Sequence, residues 1–84
     1  MNSLSSLPNI GKKLEKELQK TGICNAEELM DIGSKEAFKR IMLIDETSCI
    51  NKLYALEGAI RGIRWHHLPD EEKKSLKSYF VSLK

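Results

Sequence analysis

The stretch CINKLYALEGAIRGIRW (residues 49–65) has no face obviously meant for water. Cys49, Leu53, Leu56, Ile60 and Ile63 recur at alternating steps of four and three. On a helix that spacing draws one continuous apolar seam. On the other side, Asn51, Ala55, Gly58 and Gly62 make a second seam of small residues. An interior glycine costs about 0.8–1 kcal/mol relative to alanine, so the pair implies a compensating gain, namely room for another helix to approach closely. Charge stays at the edges, with Lys52 on one side and Glu57, Arg61 and Arg64 on the other. Glu57 stands four residues before Arg61, the favourable order for a helix ion pair. A helix packed on two sides is the hub of a small all-α domain.

Composition agrees with one such domain. The chain has 84 residues, enough to fold alone with a thin margin. Its 40% hydrophobic and 31% charged content is ordinary for a soluble globular chain and argues against disorder. No apolar run approaches the roughly 18 residues of a membrane span. The start, MNSLSSLPNI, lacks the basic residues and long apolar stretch of a signal peptide, so a cytoplasmic address is expected. Two cysteines without Cys or His neighbours give neither a disulfide framework nor a zinc site. Cys49 reads as a small core residue and Cys24 as a loop or staple residue. A net charge of +2 is too small to point to nucleic acid by itself, so any such case rests on local arrangement.

Taken in order, the chain opens with a short helical turn over residues 2–7, with Asn2 or Ser3 as cap. Pro8 disfavours a helical Leu7, Asn9 is a good N-cap, and a helix then runs to about Thr21 with Leu14 and Leu18 inward. Gly22 closes it and Ile23 supplies the apolar contact that follows such a glycine. Asn25-Ala26-Glu27-Glu28 reads as a capping box, with Leu29 and Ile32 buried behind it. Gly33 ends that helix and Ser34 caps the next, in which Phe38, Ile41 and Met42 face the core. Asp45-Glu46-Thr47-Ser48 is a polar turn into the hub. His66-His67-Leu68 is a tight connection, and Pro69 takes the first position of a last helix. Asp70, Glu71 and Glu72 suit the dipole at that helix's start. Leu76, Tyr79, Phe80 and Leu83 make its apolar stripe. Nothing alternates with period two. The expectation is five helices, no sheet and a single domain over residues 1–84.

Two turns echo each other: Leu7-Pro8-Asn9-Ile10-Gly11-Lys12-Lys13 and Leu29-Met30-Asp31-Ile32-Gly33-Ser34-Lys35. Each presents backbone N–H groups at a helix start beside a lysine. The turn Asn9-Ile10-Gly11-Lys12-Lys13 resembles the hairpin of helix-hairpin-helix modules, which offer a helix N-terminus to a nucleic-acid phosphate. The physics is independent of that likeness: free N–H groups favour an anion, and a glycine lets the oxygen come close. Asn9 stands where such hairpins usually have their first glycine. Lys12, Lys13 and Lys16 add charge without reading bases, so binding through this turn is non-specific and salt-sensitive. The alternative is that Asn9 is a cap, Gly11 a packing residue and the lysines a solvated face. Arg61, Arg64 and His66 form a second basic cluster around Trp65, an interleaving that suits nucleic acid; Trp65 also reads as a core plug. His66-His67 has no further ligand at metal spacing, so no metal site is expected. There is no nucleophile–base set, Walker-type loop or cofactor fingerprint, and the chain reads as neither an enzyme nor a cofactor binder.

With these residues in place, the chain resembles the C-terminal domain of the TfoX/Sxy family of competence regulators. The resemblance is carried by Leu7-Pro8-Asn9-Ile10-Gly11, Thr21-Gly22-Ile23, Glu28-Leu29, Ile32-Gly33, the run Leu53-Tyr54-Ala55-Leu56-Glu57-Gly58-Ala59-Ile60-Arg61-Gly62, Trp65 and Leu68-Pro69. It implies a compact five-helix, helix-hairpin-helix/SAM-like domain and a role in regulating genes for DNA uptake. Larger relatives also carry an N-terminal domain, and this chain reads as a stand-alone copy. The expected function is a binding module that touches DNA backbone through Asn9, Ile10, Gly11, Lys12, Lys13 and Lys16. The alternative is a protein-interaction domain that meets a transcription regulator, a separate TfoX N-terminal-domain protein or a second copy of itself. Neither a membrane nor a small-molecule substrate is expected.

Overall fold

Helix ends in this protein are set largely by local chemistry, and the computed structural model, which describes residues 4–45 and 48–83, shows several of these signals at work. A 3-10 turn at Leu4–Ser6 precedes α1 (Lys12–Lys20); the caps expected at Asn2 or Ser3 lie outside the described residues. Beyond α1, Gly22 takes φ +92° and its N–H reaches Gln19 O, while Ile23 N–H reaches Leu18 O at 2.9 Å. This is the Schellman closure, completed by the fully buried Ile23 side chain. α2 (Ala26–Ile32) starts where Asn25 Oδ1 accepts from Glu28 N–H at 2.9 Å. Glu28 reaches back to accept from Cys24 N–H and Asn25 Nδ2, a variant of the capping box.

α3 (Ser34–Ile44) follows with Gly33 serving both as C-cap of α2 and N-cap of α3. Ser34 is therefore not the cap expected of it. It is the first helical residue, buried, and its hydroxyl donates to Glu57 Oε1 at 2.6 Å across the fold. α5 (Asp70–Ser82) begins one residue later than expected, with Pro69 as N-cap.

The hub, α4 (Ile50–Arg61), packs on α2 and α3 on one side and on α5 and the 3-10 turn at Trp65–His67 on another. Leu53, Leu56 and Ala59 are fully buried in it. They join Leu4, Leu18, Ile23, Leu29, Phe38, Ile41 and Leu76 in a shared core, and Phe38 and Phe80 pack their rings 5.7 Å apart. No strand occurs among the described residues.

Three expectations about the hub are corrected. The helix stops short of Trp65 because Gly62 adopts φ +75° and lets Ile63 N–H bond Gly58 O at 2.9 Å. Gly62 is thus a terminator, not part of an interior seam. Cys49, expected in the core, is the exposed N-cap of α4, and Asn51 is also exposed. The close approach foreseen at the small-residue seam is real only at Gly58, and it comes from a side chain and a returning loop rather than a helix. A Cβ there would lie 2.6 Å from Asn9 Nδ2 and 2.8 Å from Ile63 O.

The remaining tie is ionic. Lys52 Nζ lies 2.9 Å from Glu17 Oε1, 3.2 Å from Ser48 Oγ and 3.8 Å from Asp45 Oδ2. It joins α1 and α4 through two largely buried side chains. Burying either charge alone is costly, so each requires the other.

Candidate functional site

Asn9 stands in the left-handed region, with φ +69°, the sole non-glycine there among the described residues. A short amide side chain tolerates that region better than most. Its side chain is not an N-cap. Asn9 Nδ2 donates to Ile63 O at 2.9 Å, and Asn9 Oδ1 accepts from Trp65 N–H at 3.3 Å. Both groups flank Arg64, so one amide clips the first turn of the chain onto the exit of α4. Ile10 points inward and is buried. The side chains of Asn9 and Ile10 thus hold the turn in place from beneath.

The N-cap of α1 is Gly11, with an ordinary extended backbone (φ −92°, ψ −178°) and no side-chain hydrogen bond. A Cβ at Gly11 would meet nothing within 4 Å. The first intrahelical bond of α1 runs from Glu15 N–H to Gly11 O at 3.0 Å. The N–H groups of Lys12, Lys13 and Leu14 therefore have no partner within the helix. Gly11, Lys12, Lys13 and Lys16 are all exposed, and Glu15 is the acidic residue of that turn. Lys13, Lys16 and Lys20 line one groove with Glu17, Ile44 and Asp45. Lys35 belongs elsewhere. It lies in the first turn of α3, whose far end carries Ile44, and sits 5.7 Å from the Tyr79 ring.

The second basic cluster divides. Arg61 donates to Glu57 Oε2 at 2.6 Å and pairs with Glu72 at 3.0 Å, so its charge is committed within the fold. Burial alone pushes the Glu57 carboxyl up. The Ser34 hydroxyl and Arg61, with Lys35 beyond, outweigh it and hold the carboxyl below the ordinary value of 4.5. Arg64 and His66 are both exposed. The half-buried Trp65 lies on the 3-10 turn, stacked against both Tyr54 and His66 with ring centroids 5.8 and 4.0 Å away.

Sequence reading missed the role of Asn9, because its two partners lie more than fifty residues away and caps and clips use the same amide. The signal that existed was Gly58, a helical glycine that reads as room for a helix and in fact makes room for this side chain. Among the described residues no three His, Cys, Asp or Glu side chains gather closely enough to hold a metal ion, and no helix is long and apolar enough to cross a membrane.

No protein of curated function matches the chain. An uncharacterized protein from Listeria monocytogenes, in a triclinic crystal form, is 56% identical and superposes with a TM-score of 0.94 over 95% of this chain and 91% of that one. A protein of unknown function from Listeria monocytogenes, in a tetragonal form, is 55% identical with a TM-score of 0.95, covering 98% of this chain and 100% of that one. The family model for the TfoX C-terminal domain matches residues 1–80. With nearly its whole length covered by that model, the chain belongs to the TfoX C-terminal domain family.

Proposed function

We propose that this chain is a non-enzymatic binding module, acting in the regulation of competence or transcription, that holds nucleic-acid backbone at the start of α1. The observation that carries this reading is Gly11: an N-cap without a capping side chain, in a backbone conformation any residue can adopt, with open space where its Cβ would stand. Packing gives no reason for glycine here. A phosphate oxygen approaching the amides of residues 12–14 does. Lys12, Lys13 and Lys16 are exposed around it and supply sequence-independent attraction. Asn9 and Ile10 position the turn, and Arg61, paired twice with carboxylates, is not a contact in this reading.

Titration of labelled duplex and single-stranded DNA at low salt tests it. Binding is expected to weaken as salt rises, and Lys12→Glu/Lys13→Glu is expected to lower affinity at least about tenfold, in line with the loss of two phosphate contacts. Equal binding by parent and variant would sink the idea.

A second reading has its own observation. Leu43 is 80% exposed and neighbours the half-exposed Ile44 at the end of α3, an apolar feature that suits a protein partner or a second copy. Size-exclusion chromatography and co-purification from the native host test that reading; a strictly monomeric protein with no retained partner would count against it.

A further inference from the structure

Beside the proposed phosphate contact the fold builds a short ladder of rings. Tyr54, half-buried on α4, stacks on Trp65 at 5.8 Å with an interplanar angle of 18°. Trp65 stacks on His66 at 4.0 Å and 27°. The ladder is braced from α5: Lys73 Nζ sits 5.8 Å from the Trp65 ring and donates to His66 O at 3.4 Å. It ends at an exposed imidazole. One face of that ring is covered by Trp65, and the residue as a whole is open to solvent. The Asn9 amide, bonded to Ile63 O and Trp65 N–H, fixes this ladder and the exposed Arg64 beside the turn that leads to Gly11.

We infer that His66 is a stacking platform for an unpaired base, with Arg64 between it and the start of α1, so that the site takes single-stranded nucleic acid in preference to duplex. The inference rests on the backbone-binding reading above. Ring stacking is available to any base and adds affinity without sequence preference. An interior base pair presents its faces only to its own neighbours, so a duplex meets the platform only at its two ends. Arg64 adds a charge on the path between phosphate and base.

The chain has one tryptophan, Trp65, so its emission reports on this ladder alone. Twelve-nucleotide dT and U oligomers and a blunt twelve-base-pair DNA duplex are titrated at low salt, with Trp65 emission and anisotropy of the labelled nucleic acid both followed. Single strands are expected to quench Trp65 and to bind more tightly than duplex. His66→Ala is expected to lower the ratio of single-strand to duplex affinity at least about fivefold, the lower end of what one stacked base contributes. His66→Phe, which keeps a ring without the basic nitrogen, is expected to retain most of that ratio. The dT and U arms separate DNA from RNA. If His66→Ala leaves the ratio unchanged, or His66→Phe loses as much as His66→Ala, the platform is overturned. Should Lys12→Glu/Lys13→Glu weaken every probe in that case, the backbone reading survives; should it weaken none, both readings fall together.

Discussion

Asn9 does at a single position what three ordinary residues would otherwise share: it takes a left-handed backbone, donates to Ile63 O and accepts from Trp65 N–H. Gly58 makes this possible by having no side chain where the amide lies. Two effects then compete in Gly58→Ala. Helix propensity favours alanine by about 1 kcal/mol. Against it, the new methyl would stand 2.8 Å from a backbone oxygen and 2.6 Å from the Asn9 amide. The loop cannot retreat without breaking hydrogen bonds, each contributing about 0.5–1.5 kcal/mol. We expect a net loss of about 1–3 kcal/mol in urea unfolding; a gain would show that the clip is dispensable. Asn9 itself separates its two duties. Asn9→Gly and Asn9→Ala both lose the hydrogen bonds, but only alanine strains at φ +69°, so it should be the less stable by about 1–2 kcal/mol. Equal stabilities would mean the left-handed conformation is not maintained. The two hub glycines look alike in the sequence at a helical spacing. They are told apart by the left-handed backbone of Gly62 and by what reaches Gly58 from residues 9 and 63–65, neither of which a local pattern announces.

At the scale of elements, the helix boundaries that were legible are those whose chemistry is local. Gly22-Ile23 and Asn25–Glu28 close and open helices with partners within five residues, and the structure makes those bonds. Ser34 was misread because its hydroxyl had two possible destinations, and the long-range one, Glu57, won. The start of α1 shows the opposite case: a cap position with no capping side chain at all. Serine placed at residue 11 meets no neighbour and can accept from the amides above it, so Gly11→Ser should stabilise the fold by a few tenths of a kcal/mol. The same hydroxymethyl stands where the proposed phosphate oxygen approaches. Stability and nucleic-acid affinity are therefore expected to move in opposite directions, which thermal melts and a low-salt DNA titration on one preparation can show. If affinity rises or holds, glycine at this cap serves no ligand and the positioning argument for α1 loses its main support.

Across the whole molecule, the last helices are held by a polar chain that begins on α3 and ends on α5: Ser34 to Glu57, Glu57 to Arg61, Arg61 to Glu72. The exposed Arg61–Glu72 end contributes little and is screened by salt. The inner end matters more, because the Glu57 side chain is only 18% exposed and accepts from both Ser34 and Arg61. Although burial raises its pKa, those partners hold the carboxyl below 4.5 in the folded chain. The folded state thus binds a proton less readily at Glu57 than the unfolded state does, and stability rises with pH across that interval. The contribution is present in full above the unfolded value near 4.5 and disappears as pH falls through the lower folded value. Glu57→Gln isolates it: urea midpoints for parent and variant should differ most at pH 6–7 and converge as pH falls well below 4.5. Moderate salt should leave much of the difference in place, since the Ser34 hydrogen bond is neutral on one side and half-sheltered. A parent–variant difference that stays constant from pH 7 to pH 3 would mean that Glu57 acts through its shape and hydrogen bonds alone, and that the charge at the centre of the network does not hold α3, α4 and α5 together.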